Sequence, residues 1–360
     1  MRRAAPEVGS EEARPVERPE RASGHHTGAL RNLLTALMVL GLGSVGYLYA
    51  ARVPDLDPIT VWPFALWVGI FSAIAVLLSP LLRGRRTVLL VACAFLAGLL
   101  LSEEPRFVLR GLWHDRTPVV AAAADSGELL RVISLNCGGG SERAIEHALS
   151  LDPDIVLLQE SPGGVSLDAM LPEGWDRAGW GDCAVLVRGD AFADEHSRSL
   201  AHEMYVVRAV PERVGRLVTV ISTHLVQPSL RGDLWRREVW REARVLRLSR
   251  MSTIEHLLAQ RDRYGDLPVI IGGDFNTREG DPLLRPLEAA GLTDAFRAAG
   301  HGWPNTITSD FPVERIDFIW VDERFEPLSA RVVVTPHSDH RMVVAELALR
   351  REARASPPHR

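Results

Sequence analysis

Three long apolar runs lie close together near the N-terminus, at residues 30–50, 59–82 and 87–101. A helix needs about 20 predominantly apolar residues to cross a bilayer, and the first two runs reach that length. Apart from Arg31 near the start of the first run, the runs carry no charge, which disfavours three buried helices of a soluble protein. A signal peptide is also disfavoured, because three runs follow one another. We therefore predict a transmembrane region of three helices over residues 29–102.

The arginines that flank these runs predict how the chain is oriented. Several Arg lie in the segment before the first run, and three more lie in the loop at residues 83–86. The positive-inside rule places both segments in the cytoplasm. Three spans then place everything after residue 101 outside the cytoplasm. The sequence thus predicts a multi-pass protein of the cell membrane whose soluble domain is extracytoplasmic.

Both ends of the chain are predicted to be disordered tails, over residues 1–28 and 351–360. The first of them is rich in Pro, Glu, Arg, Ser and Gly and has almost no large apolar side chains. Such a segment cannot bury enough surface to offset its conformational entropy.

Residues 128–350 have the pattern of a soluble α/β domain, which a predicted linker at residues 103–127 joins to the membrane region. Short β-rich runs alternate with helical stretches, and nearly continuous apolar runs such as 155–158 indicate strands covered on both faces. Ser141 is suited to cap the first helix. The predicted strands are 129–136, 154–159, 184–187, 205–210, 217–225, 268–272, 315–321, 330–334 and 342–349. The predicted helices are 141–150, 230–263 and one that begins near Pro282.

Polar side chains able to bind metal or phosphate stand at or next to the ends of most of these strands. Apolar strands that repeatedly deliver Asn, Glu, Asp and His in this way build a polar site at one rim of a sheet. The residues concerned are Asn136, Glu160, His224, Asp274, Asn276, Asp317, Asp339 and His340.

The segments around these residues resemble the endonuclease/exonuclease/phosphatase superfamily, which includes DNase I-like nucleases, neutral sphingomyelinases and inositol-polyphosphate phosphatases. The resemblance covers roughly residues 129–349 and rests on LLQE, GGDFN, RIDFIW and SDHR in that order. It implies a four-layer α/β/β/α sandwich of two packed mixed sheets (the DNase I-like fold). It also implies hydrolysis of a phosphoester by water, with the help of a divalent metal.

The resemblance implies a metal site at Asn136, Glu160 and Asp339. In the family, the Glu at this place binds the metal, and Asn136 is expected beside it. Mg²⁺ prefers carboxylate and amide oxygens, so it is the expected cofactor, with Mn²⁺ as the alternative.

The other matching residues are assigned catalytic roles by the same resemblance. His340 is expected to act as an acid/base or phosphate-contacting group, and Asp317 resembles the carboxylate that holds this His in one tautomer. Asp274 is expected to orient or deprotonate the attacking water. Asn276 is expected to hydrogen-bond a phosphoryl oxygen, and His224 to contact the phosphate and protonate the leaving group.

The charge of the soluble domain bears on its substrate. Residues 127–350 contain 25 Arg and 34 acidic residues, a formal net charge of −9. Duplex DNA binding usually needs the opposite balance. We therefore expect a phosphorylated lipid or cell-envelope substrate, which could be lipid-linked, with membrane lipids as partners. A tethered extracytoplasmic nuclease is the alternative, and a non-enzymatic binding or sensory module is a third. Nothing in the sequence predicts a protein partner.

Two further features have less specific interpretations. Cys93, Cys137 and Cys183 form no CxxC or Cys/His cluster, so we predict buried thiols; a disulfide between Cys137 and Cys183 stays open. The predicted helix at 230–263 is rich in Arg, which we expect on a solvated face. Contact of that face with anionic headgroups is the alternative.

Overall fold

The computed structural model describes residues 23–350 except 52, 54–55, 83, 103, 114, 194–197 and 200–202. Residues 1–22 and 351–360 lie outside the described residues, so the disorder predicted there stays a prediction. The first helix begins at Ser23, inside the segment predicted as the N-terminal tail.

Seven helices precede the first strand in the described part of the chain. Three of them, α1, α3 and α5, pack against one another. The seven are α1 (Ser23–Ala51), α2 (Asp57–Thr60), α3 (Phe64–Leu77), α4 (Ser79–Leu82), α5 (Gly84–Leu101), α6 (Glu104–Trp113) and α7 (Thr117–Asp125).

The second apolar run does not form the single long helix predicted for residues 59–82. Pro58 stands in the first turn of α2, and Pro63 directly precedes α3, so the chain bends where a continuous helix was expected. At 14 residues, α3 is about 21 Å long, less than the hydrocarbon thickness of roughly 30 Å. The prediction of three full-length spans is therefore not confirmed.

Two helical segments, Gly28–Ala51 and Gly84–Leu101, are long and apolar enough to cross a membrane. In each, only 11% of the apolar window is buried inside the protein, unlike the core helix of a soluble protein. A signal sequence near the N-terminus would meet the same requirements of length and composition.

The segment predicted as a linker, residues 103–127, contains the helices α6 and α7. Phe107 of α6 is fully buried, and its ring lies edge-on to Phe296 with 5.0 Å between centroids. The predicted linker is wrong in this respect: α6 buries an apolar residue on the soluble domain and so docks there.

The soluble domain contains twelve strands among its described residues, and five helices. The strands are β1 (Leu129–Asn136), β2 (Ile155–Gln159), β3 (Trp175–Trp180), β4 (Cys183–Phe192), β5 (Arg198–Ser199), β6 (Met204–Pro211), β7 (Val218–His224), β8 (Val269–Asp274), β9 (Thr293–Asp294), β10 (Asp317–Val321), β11 (Phe325–Val333) and β12 (Met342–Leu349). The helices are α8 (Glu142–Leu149), α9 (Gly164–Met170), α10 (Arg237–Arg263), α11 (Arg285–Ala289) and α12 (Ala295–Ala299).

The strands form one curled mixed sheet in the order β11-β12-β1-β2-β4-β6-β7-β8-β10-β9, with β3 on β4 and β5 on β6. Strand β4 takes part in both halves, because its first part pairs with β2 and its last four residues pair with β6. The switch occurs at Gly189, where φ is 128° and a Cβ would lie 2.3 Å from the carbonyl oxygen of Val210. The two separate sheets that were expected are therefore halves of a single sheet.

The two halves pack face to face over an apolar core that includes Val132 and Ile155 from one half and Val220 from the other. Helix α8 covers the outer face of the first half through Ile145, and α10 covers the second through Ile254. The layers thus run helix, sheet, sheet, helix, which confirms the predicted α/β architecture.

Helix α10 begins at Arg237, seven residues after the predicted start at Leu230. Before it, Arg231 pairs with Asp233 in an irregular segment. The predicted solvated Arg face is wrong for two members, Arg247 and Arg250, which are buried.

The three cysteines have free thiols. Cys137 and Cys183 are buried as predicted, whereas Cys93 is exposed on α5.

Candidate active site

Strand register brings three of the predicted residues abreast. His224 at the end of β7 is the register partner of Asp274 in the parallel strand β8. Asp274 is in turn the partner of Asp317 in the antiparallel strand β10. Residues side by side in neighbouring strands point to the same face, so three chemically active side chains meet at one edge of this half of the sheet.

The other half of the sheet contributes Asn136 and Glu160. Asn136 ends β1, and Glu160 follows β2 with a left-handed φ of 48°. The Nδ2 group of Asn136 donates to Glu160 Oε1 at 3.1 Å and to Asp274 Oδ2 at 3.2 Å. This amide therefore connects the two halves of the sheet at the site.

A single oxygen, Asp274 Oδ2, is the centre of the arrangement. The side-chain amides of Asn136 and Asn276 donate to it at 3.2 and 3.3 Å. The Nε2 atoms of His224 and His340 each lie 3.7 Å from it. Four of the predicted site residues thus surround a fifth, although they come from positions spread over 200 residues.

Asn276 is held by hydrogen bonds from both its main chain and its side chain. Its main-chain N–H donates to Asp274 Oδ1 at 2.8 Å, and its side-chain amide donates to the carbonyl oxygen of Leu225, also at 2.8 Å. Its φ is 44°, a left-handed conformation that Asn tolerates better than most residues. The loop after β8 is therefore fixed by polar contacts.

His340 is buried and pairs with Asp317, whose Oδ2 lies 3.0 Å from Nδ1 of the imidazole. Burial alone would lower the pKa of His340. The charge and hydrogen bond of Asp317, together with the charge of Asp274, outweigh burial and raise the pKa to about 10. This imidazole is therefore a cation at neutral pH.

His224 has a carboxylate partner that the sequence did not reveal. Both oxygens of Asp182 lie within 3.1 Å of its Nδ1. Burial lowers the pKa of His224, but Asp182 and Asp274 outweigh it and raise the pKa to about 9. Asp182 lies in the turn between β3 and β4, where an acidic residue carries no motif. Only the pairing of β4 with its neighbouring strands shows that Asp182 lies beside His224.

Two buried carboxylates face each other at the centre of the site. Asp274 and Asp317 are at most 1% exposed. Burial and the negative charge of Asp317 raise the pKa of Asp274 to about 6, although His340 and His224 act in the opposite direction. Among the described residues, the Oδ1 atom of Asp317 is buried without a hydrogen-bond partner.

The residues expected to bind metal are only partly brought together. Asn136 and Glu160 are in contact, and the main-chain N–H of Gly139 donates to Glu160 Oε2 at 2.7 Å. Asp339 is exposed and lies next to Gly138, where a Cβ would be 3.0 Å from its Oδ1. No hydrogen bond joins the Asp339 carboxylate to Asn136 or Glu160 in the described part of the chain.

The donor chemistry nevertheless suits a hard divalent cation. Glu160 is half-exposed at the rim, and each of its oxygens, with one hydrogen bond accepted, keeps a lone pair for a ligand. Oxygen atoms of Asp274 and Asp317 also lie within 4.8 Å of each other. The excess of carboxylates and the orphaned oxygen of Asp317 favour a positive charge at this edge of the sheet.

The sequence profile of the endonuclease/exonuclease/phosphatase family matches residues 133–340, more than half of the chain. The chain belongs to this family. The matched region begins within β1 and ends at His340, so it includes every residue of the site described above. Members of the family are phosphoester hydrolases, typically dependent on a divalent metal.

Solved structures of family members resemble the soluble domain at low sequence identity. An endonuclease/exonuclease/phosphatase family protein from Bacteroides thetaiotaomicron is 18% identical, with a TM-score of 0.48 over 62% of this chain and 98% of its own. The human Nocturnin catalytic domain with bound sulfate is 18% identical, with a TM-score of 0.46 over 62% and 95%. The mannosyl-6-phosphatase Bt3783 of Bacteroides thetaiotaomicron is 19% identical, with a TM-score of 0.45 over 61% and 99%. No curated protein matches the chain.

Proposed function

We propose that this protein is a membrane-anchored, Mg²⁺-dependent phosphoesterase that hydrolyses a lipid or cell-envelope phosphoester on the extracytoplasmic side. The observation that carries the proposal is the convergence of two amides and two imidazoles on Asp274 Oδ2, beside Glu160. Phosphoryl transfer depends mainly on positioning and charge neutralisation, and this arrangement provides both.

Each side chain has a role that follows from its surroundings. Asp274 accepts a hydrogen bond from the attacking water and directs it at phosphorus. Asn276 donates to a phosphoryl oxygen with the amide hydrogen that otherwise makes the long 3.3 Å contact with Asp274 Oδ2. His340, kept cationic and oriented by Asp317, neutralises charge on the phosphoryl group. His224, kept cationic by Asp182, protonates the leaving oxygen.

Glu160 and Asn136 would hold the divalent metal, with Asp339 at the rim as a further ligand. When bound, the metal neutralises the negative charge that develops on the phosphoryl oxygens. Mg²⁺ fits the oxygen donors, and Mn²⁺ is the alternative ion.

The contacts of the N-terminal helices support the proposed orientation. At one end of the helices, Arg86 donates to Asn32 and Arg31 donates to the carbonyl oxygen of Leu81. At the other end, Tyr49 stacks on Arg278, and Asp57 pairs with α10, so this end docks on the soluble domain. The Arg-rich end and the catalytic domain thus lie at opposite ends of the helices. We propose that α3 and α4, 19 residues from Phe64 to Leu82 interrupted only at Leu78, complete a third crossing.

The position of a cavity supports a lipid substrate. A cavity of about 110 Å³ reaches Asn276 on the catalytic side and is bounded on the other by Asp57, Thr60 and Val61 of the segment between α1 and α3. A substrate embedded in the bilayer would reach Asn276 along this wall. The net charge of −9 in the soluble domain further disfavours duplex DNA as the substrate.

A direct comparison of substrates tests the proposal. Full-length protein in liposomes is incubated with Mg²⁺ and either a polyprenyl phosphate in the bilayer or plasmid DNA in solution. We expect phosphate release from the lipid, intact plasmid, and loss of turnover in His340→Ala. Plasmid cleavage that disappears in His340→Ala, with the lipid untouched, would identify a tethered nuclease instead.

The pairing of His224 with Asp182 predicts the alkaline limit of activity. If protonated His224 donates to the leaving group, kcat stays level through neutral pH and falls above about pH 9, where the imidazole loses its proton. Asp182→Asn removes the charge that raises this pKa, so we expect the alkaline limb to move down by at least about one pH unit. The pH dependence of kcat for both proteins measures this. An unchanged limb in Asp182→Asn would exclude His224 as the acid.

A further inference from the structure

A buried ion-pair cluster joins the membrane region to the active site. Asp57 of α2 accepts from Arg247 Nη1 at 2.7 Å and from Arg250 Nη2 at 2.8 Å, both on α10. The side chains of these three residues are at most 10% exposed. Asp57 lies 193 residues before Arg250 in the chain, so the contact exists only because α2 docks on the soluble domain.

The other edge of the Arg250 guanidinium contacts the loop after β8, which carries Asn276. Its Nη1 group donates to the carbonyl oxygen of Asn276 at 2.9 Å and to Thr277 Oγ1 at 3.2 Å. The guanidinium is a rigid plane, so fixing one of its edges on Asp57 fixes the direction of the other. The carbonyl of Asn276 is thereby held by a side chain whose own partner lies outside the catalytic domain.

Removal of Asp57 would leave Arg250 buried without its counter-charge. A buried guanidinium in that state is costly, and it would move towards water or another acceptor. Asn276, with its left-handed φ of 44°, would then lose the hydrogen bond from Arg250 to its main-chain carbonyl, which helps to hold Asn276 beside Asp274. A shift of about 1 Å in a catalytic group is enough to lower the rate strongly.

We propose that Asp57 is a positioning residue of the active site, which acts through Arg250 on the loop that carries Asn276. The segment between the first two apolar helices is then a functional part of the catalytic centre as well as of the anchor. This inference rests on the proposed function, in which Asn276 contacts the phosphoryl group.

Arg247 provides a matched control on the same helix. Arg247 pairs with the carboxylate of Asp57, as Arg250 does. Its second partner is Asp281, which caps the turn at residues 282–284. Arg247→Gln therefore breaks the buried ion pair without removing a contact to Asn276 or Thr277. If Asp57 served stability alone, Asp57→Asn and Arg247→Gln would behave alike.

The experiment compares full-length Asp57→Asn, Arg250→Gln and Arg247→Gln in liposomes with the unaltered protein. We expect Asp57→Asn and Arg250→Gln to lower kcat at least about tenfold while KM changes less than about twofold. The double variant should lose no more than Arg250→Gln alone, since both changes interrupt one path. Arg247→Gln should lower the unfolding temperature by a similar amount but keep kcat within about twofold.

Hydrogen exchange provides a readout that does not depend on turnover. The main-chain N–H of Asn276 is protected by Asp274, so we expect its exchange to accelerate in Asp57→Asn and Arg250→Gln but not in Arg247→Gln. Unchanged kcat and exchange in Asp57→Asn, or an equal loss of kcat in Arg247→Gln, would overturn the inference. Absence of turnover in the unaltered protein would instead contradict the proposed function, while the exchange measurement would still test Asp57.

Discussion

Asp274→Asn is expected to lower kcat by about 10³-fold, the scale of losing a positioned base in the transition state. The reason is the central position of Asp274 Oδ2, which four of the other site residues surround. An amide at this place can neither take a proton from water nor balance the charges of His224 and His340. Initial rates of phosphoester hydrolysis by the full-length protein measure the loss.

The same variant should change how stability depends on pH. The folded pKa of Asp274, about 6, lies above its unfolded value of 3.8, so the ionised form is disfavoured in the folded protein. Between about pH 4 and pH 6 the parent should therefore lose stability relative to the Asn variant as its carboxyl ionises. Below about pH 4 this contribution vanishes, because the carboxyl is protonated in both states. Unfolding temperatures of both proteins at pH 4 and pH 6 measure this difference.

Asp322→Asn is the matched control for Asp274→Asn. Asp322 is also buried and follows β10, but its carboxylate accepts from the main-chain N–H of Val269 and pairs with Arg324, away from the site. We expect this variant to lose stability and keep kcat. Equal losses of kcat in the two variants would mean that the effect of Asp274→Asn is not catalytic.

Strand ends determine where the candidate residues lie, and the assignment of these residues to an active site stays a prediction. Strands β1 and β12 begin and end where the sequence placed them, at Leu129–Asn136 and Met342–Leu349. Because β10 and β12 run antiparallel to β8 and β1, their starts lie beside the ends of those strands, which brings Asp317 and His340 to the same edge as Asp274 and Asn136. Their individual roles stay predictions.

The partners of these residues were not predictable from local patterns. Asp182 lies in a turn, and its contact with His224 depends on the pairing of strands distant in sequence. Asp57 and Arg250 looked like a loop acid and a solvated helix Arg, and only the docking of α2 on α10 buries them together. Tertiary contacts of this kind determine which charged residues are buried, and burial determines which of these residues pair.

The N-terminal helical region was predicted less accurately than the soluble domain. Composition identified the apolar runs, but the kink around Pro58 and Pro63 shortens the second helix. The docking of α6 was missed because its buried residue, Phe107, packs on a surface of the soluble domain that the sequence does not show. Membrane insertion and its direction therefore stay proposals.

Glu160→Gln is the second variant with a large expected effect. Glu160 is half-exposed at the rim beside Asn136, and its carboxylate is the predicted centre of the metal site. The variant keeps the size of the side chain and one acceptor oxygen but removes the negative charge that a divalent cation needs. We expect the metal concentration for half-maximal activity to rise at least about 100-fold. Loss of a group that only hydrogen-bonds to the metal ligands already lowers metal affinity by up to about 100-fold. Glu146→Gln, on the exposed face of α8, is the matched control.

The most direct test of a metal-dependent phosphoesterase is a Mg²⁺ titration of phosphoester hydrolysis by the full-length protein and by Glu160→Gln. We expect EDTA to abolish turnover in the unaltered protein, Mg²⁺ to restore it with saturation, and Glu160→Gln to need far more Mg²⁺ to reach half its maximum. Hydrolysis that resists EDTA and shows the same titration in both proteins would contradict the proposed metal site and the function built on it.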